Sequence, residues 1–177
     1  MRVEWPTLAL IILCYAVWGA ALFILPGLSV LLSVAIAALT IALHSSLQHE
    51  VTHGHPFGTR RIGEWLVFAT LNLSIPYIRF RDTHLAHHMD ARLTDPYEDP
   101  ESNYLDPERW VRLSRWAQAV LNINNTLAGR MAIGPIVSQI AFMADEARLI
   151  RNGDKHVAFA WALHVVLSGG VLMVVAA

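Results

Sequence analysis

The chain has 177 residues, of which 15% are charged, against about 25% in ordinary soluble domains. Its mean hydropathy of +0.43 indicates a membrane protein, and its net charge of -1 argues against a nucleic-acid partner. A single cysteine excludes an internal disulfide and Cys-rich zinc or iron–sulfur sites, so a metal would need histidine or carboxylate ligands. The length predicts one unit over residues 1–177.

Three apolar segments are long enough to cross a bilayer. Residues 7–25 and 28–43 are separated only by Pro26-Gly27, which predicts a transmembrane hairpin with almost no loop. A cleaved signal peptide is the competing interpretation of the first segment, but the run is long for one and a second span follows at once. Residues 157–177 form the third predicted span. We therefore predict an all-α integral membrane protein: a transmembrane hairpin, a cytoplasmic helical metal-binding region and a third span.

The sequence between the second and third spans is mixed. We predict that the second helix continues out of the lipid over residues 44–55 and that residues 79–88 form another helix. Residues 95–107 contain three prolines and several acids, which predicts a surface loop. Residues 110–125 predict an amphipathic helix at the membrane surface. Residues 126–144 predict a shallow or re-entrant segment.

The basic residues predict the orientation. Every lysine and arginine lies before Thr7 or between Arg60 and Lys155. The positive-inside rule therefore places the N-terminus and the central region in the cytoplasm.

Two histidine clusters lie just beyond apolar sequence, on the same predicted side of the membrane. They are His49-Glu50-Val51-Thr52-His53 and His84-Leu85-Ala86-His87-His88. On a helix, residues three or four apart share a face, so the imidazoles of each cluster converge. Nitrogen ligands suit iron, zinc or copper rather than calcium or magnesium. The pattern therefore predicts a shared metal site.

The two clusters also resemble a known family. His49-x-x-x-His53-Gly54 followed by His84-x-x-His87-His88 is similar to the first two histidine boxes of the membrane fatty acid desaturase and hydroxylase superfamily. The context agrees, because Arg81-Asp82-Thr83-His84 leads into the second box and the acidic, proline-bearing stretch Asp95-Pro96 to Glu98-Asp99-Pro100 follows it. The resemblance covers nearly the whole chain.

The resemblance implies a fatty acid desaturase, an O2-dependent oxidoreductase of lipid metabolism that attacks a C–H bond of a lipid acyl chain. It implies a cofactor of two non-haem iron ions held by eight or more histidines. Electrons would come from a ferredoxin, rubredoxin or cytochrome b5-like donor with its reductase. We expect the bacterial inner membrane, with the boxes facing the cytoplasm. The metal ligands carried over from the family are His49, His53, His84, His87 and His88.

One departure from the family pattern concerns the ligands. The family has a third histidine box, whereas only His156 and His164 follow His88 here, and neither is clustered. We therefore expect a truncated chain that is inactive alone. His44 is a further candidate ligand by its spacing from His49.

Carboxylates near the boxes are candidates to orient the ligand histidines through hydrogen bonds. The four candidates are Glu50, Asp82, Asp90 and Asp95.

Three alternatives remain open from the residues alone. A lipid or alkane hydroxylase of the same superfamily would use the same boxes. His49-Glu50-x-x-His53 is also the HExxH motif of zinc metalloproteases, in which the glutamate is the general base, although that leaves the second cluster unexplained. A membrane haem or metal-transport protein is the third alternative.

Overall fold

The computed structural model describes residues 3–89, 91–92, 94–99, 102 and 104–176. Every regular element in these residues is helical, which confirms the predicted all-α class. The elements are α1 (Trp5–Phe23), a 3-10 turn (Leu25–Gly27), α2 (Val30–Thr52), α3 (Arg60–Val67), α4 (Tyr77–Met89), α5 (Pro107–Arg112), α6 (Arg115–Asn124), α7 (Leu127–Ala132), α8 (Gly134–Arg151) and α9 (Lys155–Ala176).

Three described segments are long and apolar enough to cross a membrane: Trp5–Gly27, Val30–Thr52 and Lys155–Ala176. The chain folds as two compact units. Unit 1 comprises residues 1–81 and 159–177, and unit 2 comprises residues 82–158.

The α1–α2 hairpin in unit 1 packs through small and polar side chains. Ala21 is fully buried. The Ser33 hydroxyl donates a hydrogen bond to the Ala21 carbonyl oxygen at 2.5 Å. Cys14 is buried and its thiol lies 3.4 Å from the Thr40 carbonyl. Leu31, by contrast, is 81% exposed. Small residues let two helices approach closely in lipid, where apolar side chains gain nothing by leaving the bilayer.

A hydrophobic core lies beside the end of α2. Its buried side chains come from α1, α2, α3 and the start of α4 and are Ile11, Cys14, Leu47, Val51, Val67 and Tyr77. The Gln48 amide donates to the Val67 carbonyl at 2.9 Å, which ties α2 to α3. Gly63 of α3 fits against α2, because a Cβ at this position would lie 3.1 Å from a Val51 methyl and 2.8 Å from the His55 carbonyl oxygen.

In unit 2, the structure differs from the predicted helix boundaries at two places. The helix predicted over residues 110–125 is interrupted at Leu113–Ser114, because the Ser114 hydroxyl accepts from the Ala117 N–H and starts α6 as a new helix. The segment predicted over residues 126–144 is two helices, and the second of them, α8, continues to Arg151.

Candidate metal centre

The first histidine cluster lies at the C-terminal end of α2. His49 is in the last turn and His53 is the C-cap residue. Their ring centroids are 4.8 Å apart in an edge-to-face arrangement, so the four-residue spacing brings the two imidazoles together. The prediction that the helix continues to residue 55 is wrong. Gly54 has a φ of +97°, and glycine in the left-handed region ends helices in this way.

His44 faces α1, away from the first cluster. Its Nε2 lies 3.0 Å from the Tyr15 hydroxyl oxygen, and that hydroxyl donates to the Leu66 carbonyl at 2.8 Å. Five residues of helix rotate His44 by about 140° from His49, which explains the different direction. Its Nδ1 is buried without a hydrogen-bond partner among the described residues, so the prediction that His44 is a ligand stays open through that atom.

Two carboxylates accompany the first cluster. Glu50 Oε1 lies 3.4 Å from His49 Nδ1, a long contact on an exposed side chain. His55 follows the cluster, and its Nδ1 lies 2.6 Å from a Glu4 carboxylate oxygen. This pair links the turn to the start of α1 and leaves His55 outside the cluster.

The second cluster lies on α4. The Nε2 atoms of His84 and His88 are 3.0 Å apart, and their ring centroids are separated by 4.5 Å. Two nitrogens that are each about 2.1 Å from one metal ion, at right angles, lie about 3.0 Å from each other. The distance between the two nitrogens fits a hydrogen bond between the rings, and it also fits adjacent ligands of one ion.

His87 is oriented by a buried carboxylate. Its Nδ1 lies 2.8 Å from Asp99 Oδ1, and Asp99 Oδ2 accepts the Thr94 N–H at 2.9 Å. A carboxylate in this position accepts a hydrogen bond from the ring N–H, and metal-ligating histidines are commonly oriented in this way.

The sequence reasoning missed Asp99 as an orienting residue. The signal in the sequence is the acidic, proline-bearing stretch after the second box, which contains Asp99.

Asp82 and Asp95, which the sequence predicts for the same role, contact other groups. An oxygen of Asp82 lies 2.7 Å from His156 Nε2. Asp95 Oδ1 accepts the N–H groups of Tyr97 and Glu98, so it shapes the loop after α4.

Asp90 and His164 are the two remaining residues to place. Asp90 lies outside the described residues. His164 is buried in α9, where its Nε2 is 3.0 Å from the Leu73 carbonyl oxygen. That bond gives His164 a structural role, as a polar side chain in a predicted span requires.

The donor set fits a transition metal. His49 and His53 in unit 1, and His84 and His88 in unit 2, each have a ring nitrogen that could bind a metal ion. Imidazole donors suit iron, zinc and copper.

These features define an all-helical membrane protein with two histidine clusters able to bind metal. A family model described as fatty acid desaturase matches residues 25–177, a range that includes α2, both clusters and α9. The chain therefore belongs to the fatty acid desaturase family. No curated protein and no solved structure is significantly similar to it.

Proposed function

We propose that this protein is a membrane fatty acid desaturase, an O2-dependent oxidoreductase that introduces a double bond into a lipid acyl chain. Family membership supports the reaction class. The observation that carries the proposal is the second cluster, in which Asp99 orients His87 while His84 and His88 have the spacing of ligands to one ion.

We assign the two clusters to one centre with two non-haem iron ions. Its ligands in this chain are His49, His53, His84, His87 and His88. Bound iron supplies the activation of O2 that an unactivated C–H bond requires. The five histidines are fewer than the eight or more that the family implies, so they are a partial ligand set.

The protein's own groups position these ligands. The Asp99 carboxylate accepts a hydrogen bond from the N–H at His87 Nδ1, which makes the ring a stronger metal ligand. Glu50 does the same for His49 over a longer distance of 3.4 Å. The tighter, buried carboxylate on the second cluster makes Asp99 the more important orienting residue.

We also propose a substrate, an electron donor and a location, which family membership and the distribution of basic residues support. The substrate is a lipid acyl chain, and electrons come from a ferredoxin, rubredoxin or cytochrome b5-like protein with its reductase. The boxes face the cytoplasm of a bacterial inner membrane.

A lipid or alkane hydroxylase is the nearest alternative, because it would use the same boxes. A zinc metalloprotease would use Glu50 as a base on a metal-bound water, and it leaves the Asp99–His87 pair without a purpose. Family membership favours the two oxidative reactions over proteolysis.

The experiment that tests the proposal is fatty acid analysis by gas chromatography–mass spectrometry of membranes from cells that produce the protein. A new unsaturated acyl chain that is lost in His87→Ala and kept in the matched control His55→Gln would support the desaturase, and it would contradict the expectation that this chain is inactive alone. A hydroxylated chain in its place would assign the hydroxylase. Unchanged lipids, together with cleavage of a membrane protein that needs Glu50, would overturn both oxidative reactions.

A further inference from the structure

The loop that follows α4 in unit 2 brings Asp99 to His87. The two residues are twelve positions apart in the chain, and the described residues between Met89 and Pro107 form turns and bends rather than a helix or strand. Fixing such a loop in one conformation costs conformational entropy. Contacts within the loop must therefore hold Asp99 in place.

Thr94 makes the first of these contacts. Its backbone N–H donates a hydrogen bond to Asp99 Oδ2 at 2.9 Å. Its φ is +74°, in the left-handed region that a β-branched residue adopts only where surrounding contacts enforce it. The residue that holds the carboxylate is thus itself held against its own backbone preference.

Ser102 supplies contacts that enforce this conformation. Its hydroxyl donates to the Thr94 carbonyl oxygen at 2.9 Å, and its backbone N–H donates to the Asp99 carbonyl oxygen at 3.0 Å. Thr94, Asp99 and Ser102 are therefore joined pairwise by three hydrogen bonds. Such a closed arrangement restrains each residue more than a single bond would.

The burial of Asp99 makes this arrangement important for His87. The Asp99 side chain is only 2% exposed, and its Oδ1 lies 2.8 Å from His87 Nδ1 while its Oδ2 accepts from Thr94. A buried oxygen that loses its donor is costly. A shift of Thr94 would therefore move the carboxylate relative to the histidine.

Tyr97 lies in the same loop but contacts a different group. Its hydroxyl donates to the Asp106 carboxylate, and the Arg109 guanidinium lies 4.8 Å from its ring centroid. This hydroxyl thus stabilises the junction between the loop and α5, and its removal is a matched control for removal of the Ser102 hydroxyl.

We propose that Ser102 is a positioning residue for the metal centre. Its hydroxyl holds Thr94 in the left-handed conformation, and Thr94 in turn holds the Asp99 carboxylate on His87. The inference rests on the proposed function, because that function assigns His87 to a metal ion.

The first test is hydrogen–deuterium exchange of the full-length protein in detergent without metal, followed by mass spectrometry of the peptides that contain Thr94. Ser102→Ala should speed exchange of the Thr94 amide about fivefold, because one hydrogen bond that holds the loop is lost. Ser102→Thr keeps the hydroxyl and should exchange as the wild type does. Tyr97→Phe should also leave this amide protected.

The second test is the affinity for Co(II), an air-stable substitute for Fe(II) that imidazole ligands also bind, by competition with a chelator. Ser102→Ala should weaken binding about fivefold, and Ser102→Thr should restore it. In the Asp99→Asn background Ser102→Ala should have little further effect, because the orienting charge is already gone. This double-mutant cycle isolates the coupling, since a merely structural role would lower affinity equally in both backgrounds.

Three outcomes would overturn the role of Ser102. They are unchanged exchange of the Thr94 amide in Ser102→Ala, equal losses of Co(II) affinity in the two backgrounds, and a loss in Tyr97→Phe as large as in Ser102→Ala. A wild type that binds no Co(II) would overturn the proposed metal centre instead, and the exchange data would still decide whether Ser102 holds Thr94.

Discussion

The two histidine clusters are positioned by different physical means. His49 and His53 end a helix of 23 residues whose neighbouring turns are buried in the unit 1 core. His87 lies on a helix of 13 residues and is held by a carboxylate from the following loop. Packing therefore fixes the first cluster and hydrogen bonding fixes the second. Substitutions around the first should change stability, and those around the second should change metal affinity.

The largest effect is expected from Asp99→Asn. The amide keeps the shape and can still accept the Thr94 N–H, but it removes the negative charge that His87 Nδ1 faces. Loss of such a carboxylate typically lowers metal affinity about 10–100-fold. Competition with a chelator measures the affinity, and Asp95→Asn in the same loop is the matched control. Equal affinities for wild type and Asp99→Asn would show that the carboxylate does not support a metal ligand.

Next is Gly63→Ala, which tests packing beneath the first cluster. The new methyl would lie 2.8 Å from the His55 carbonyl oxygen, so α3 or the turn after α2 has to move. Overpacking of this kind costs about 1–3 kcal/mol, measured as thermal unfolding in detergent by circular dichroism. Gly169→Ala is the control, since its Cβ meets nothing within 4 Å. If both variants unfold at the wild-type temperature, α3 does not support α2 through this contact.

A smaller effect is expected from Tyr15→Phe. The change removes the hydroxyl that donates to Leu66 and contacts His44, and a hydrogen bond of this kind contributes about 1 kcal/mol. Unfolding should be easier while metal affinity stays at the wild-type value. A large loss of metal in this variant would mean that packing is not the role of the Tyr15–His44 pair.

The smallest effect is expected from Glu50→Gln. Its carboxylate is exposed and its contact with His49 is long, so metal affinity should change at most a few-fold, as for exposed ion pairs. Lipid oxidation, where the wild type shows it, should persist. Loss of proteolytic activity in this variant, with metal still bound, would favour the protease, in which this glutamate is the base.

Side-chain contacts within one helix are predictable from the sequence, whereas contacts with residues of another segment are not. Helical spacing was enough to bring His49 to His53 and His84 to His88. It could not select Asp99, because the loop that returns this residue to His87 contains no periodic pattern. The sequence predicts that α2 ends later than it does. The residues before Gly54 are compatible with a helix, but the positive φ of Gly54 ends it. The break at Ser114 arose similarly, from a side-chain cap rather than from hydrophobicity.

The most direct test of a single iron centre is the metal content of the purified protein and of two double variants, by elemental mass spectrometry. The variants are His49→Ala/His53→Ala and His84→Ala/His88→Ala. The account predicts iron in the wild type and its loss from both variants, because the proposal assigns ligands from both clusters to one centre. One zinc ion per chain that survives in His84→Ala/His88→Ala would contradict it and assign the first cluster to a separate zinc site.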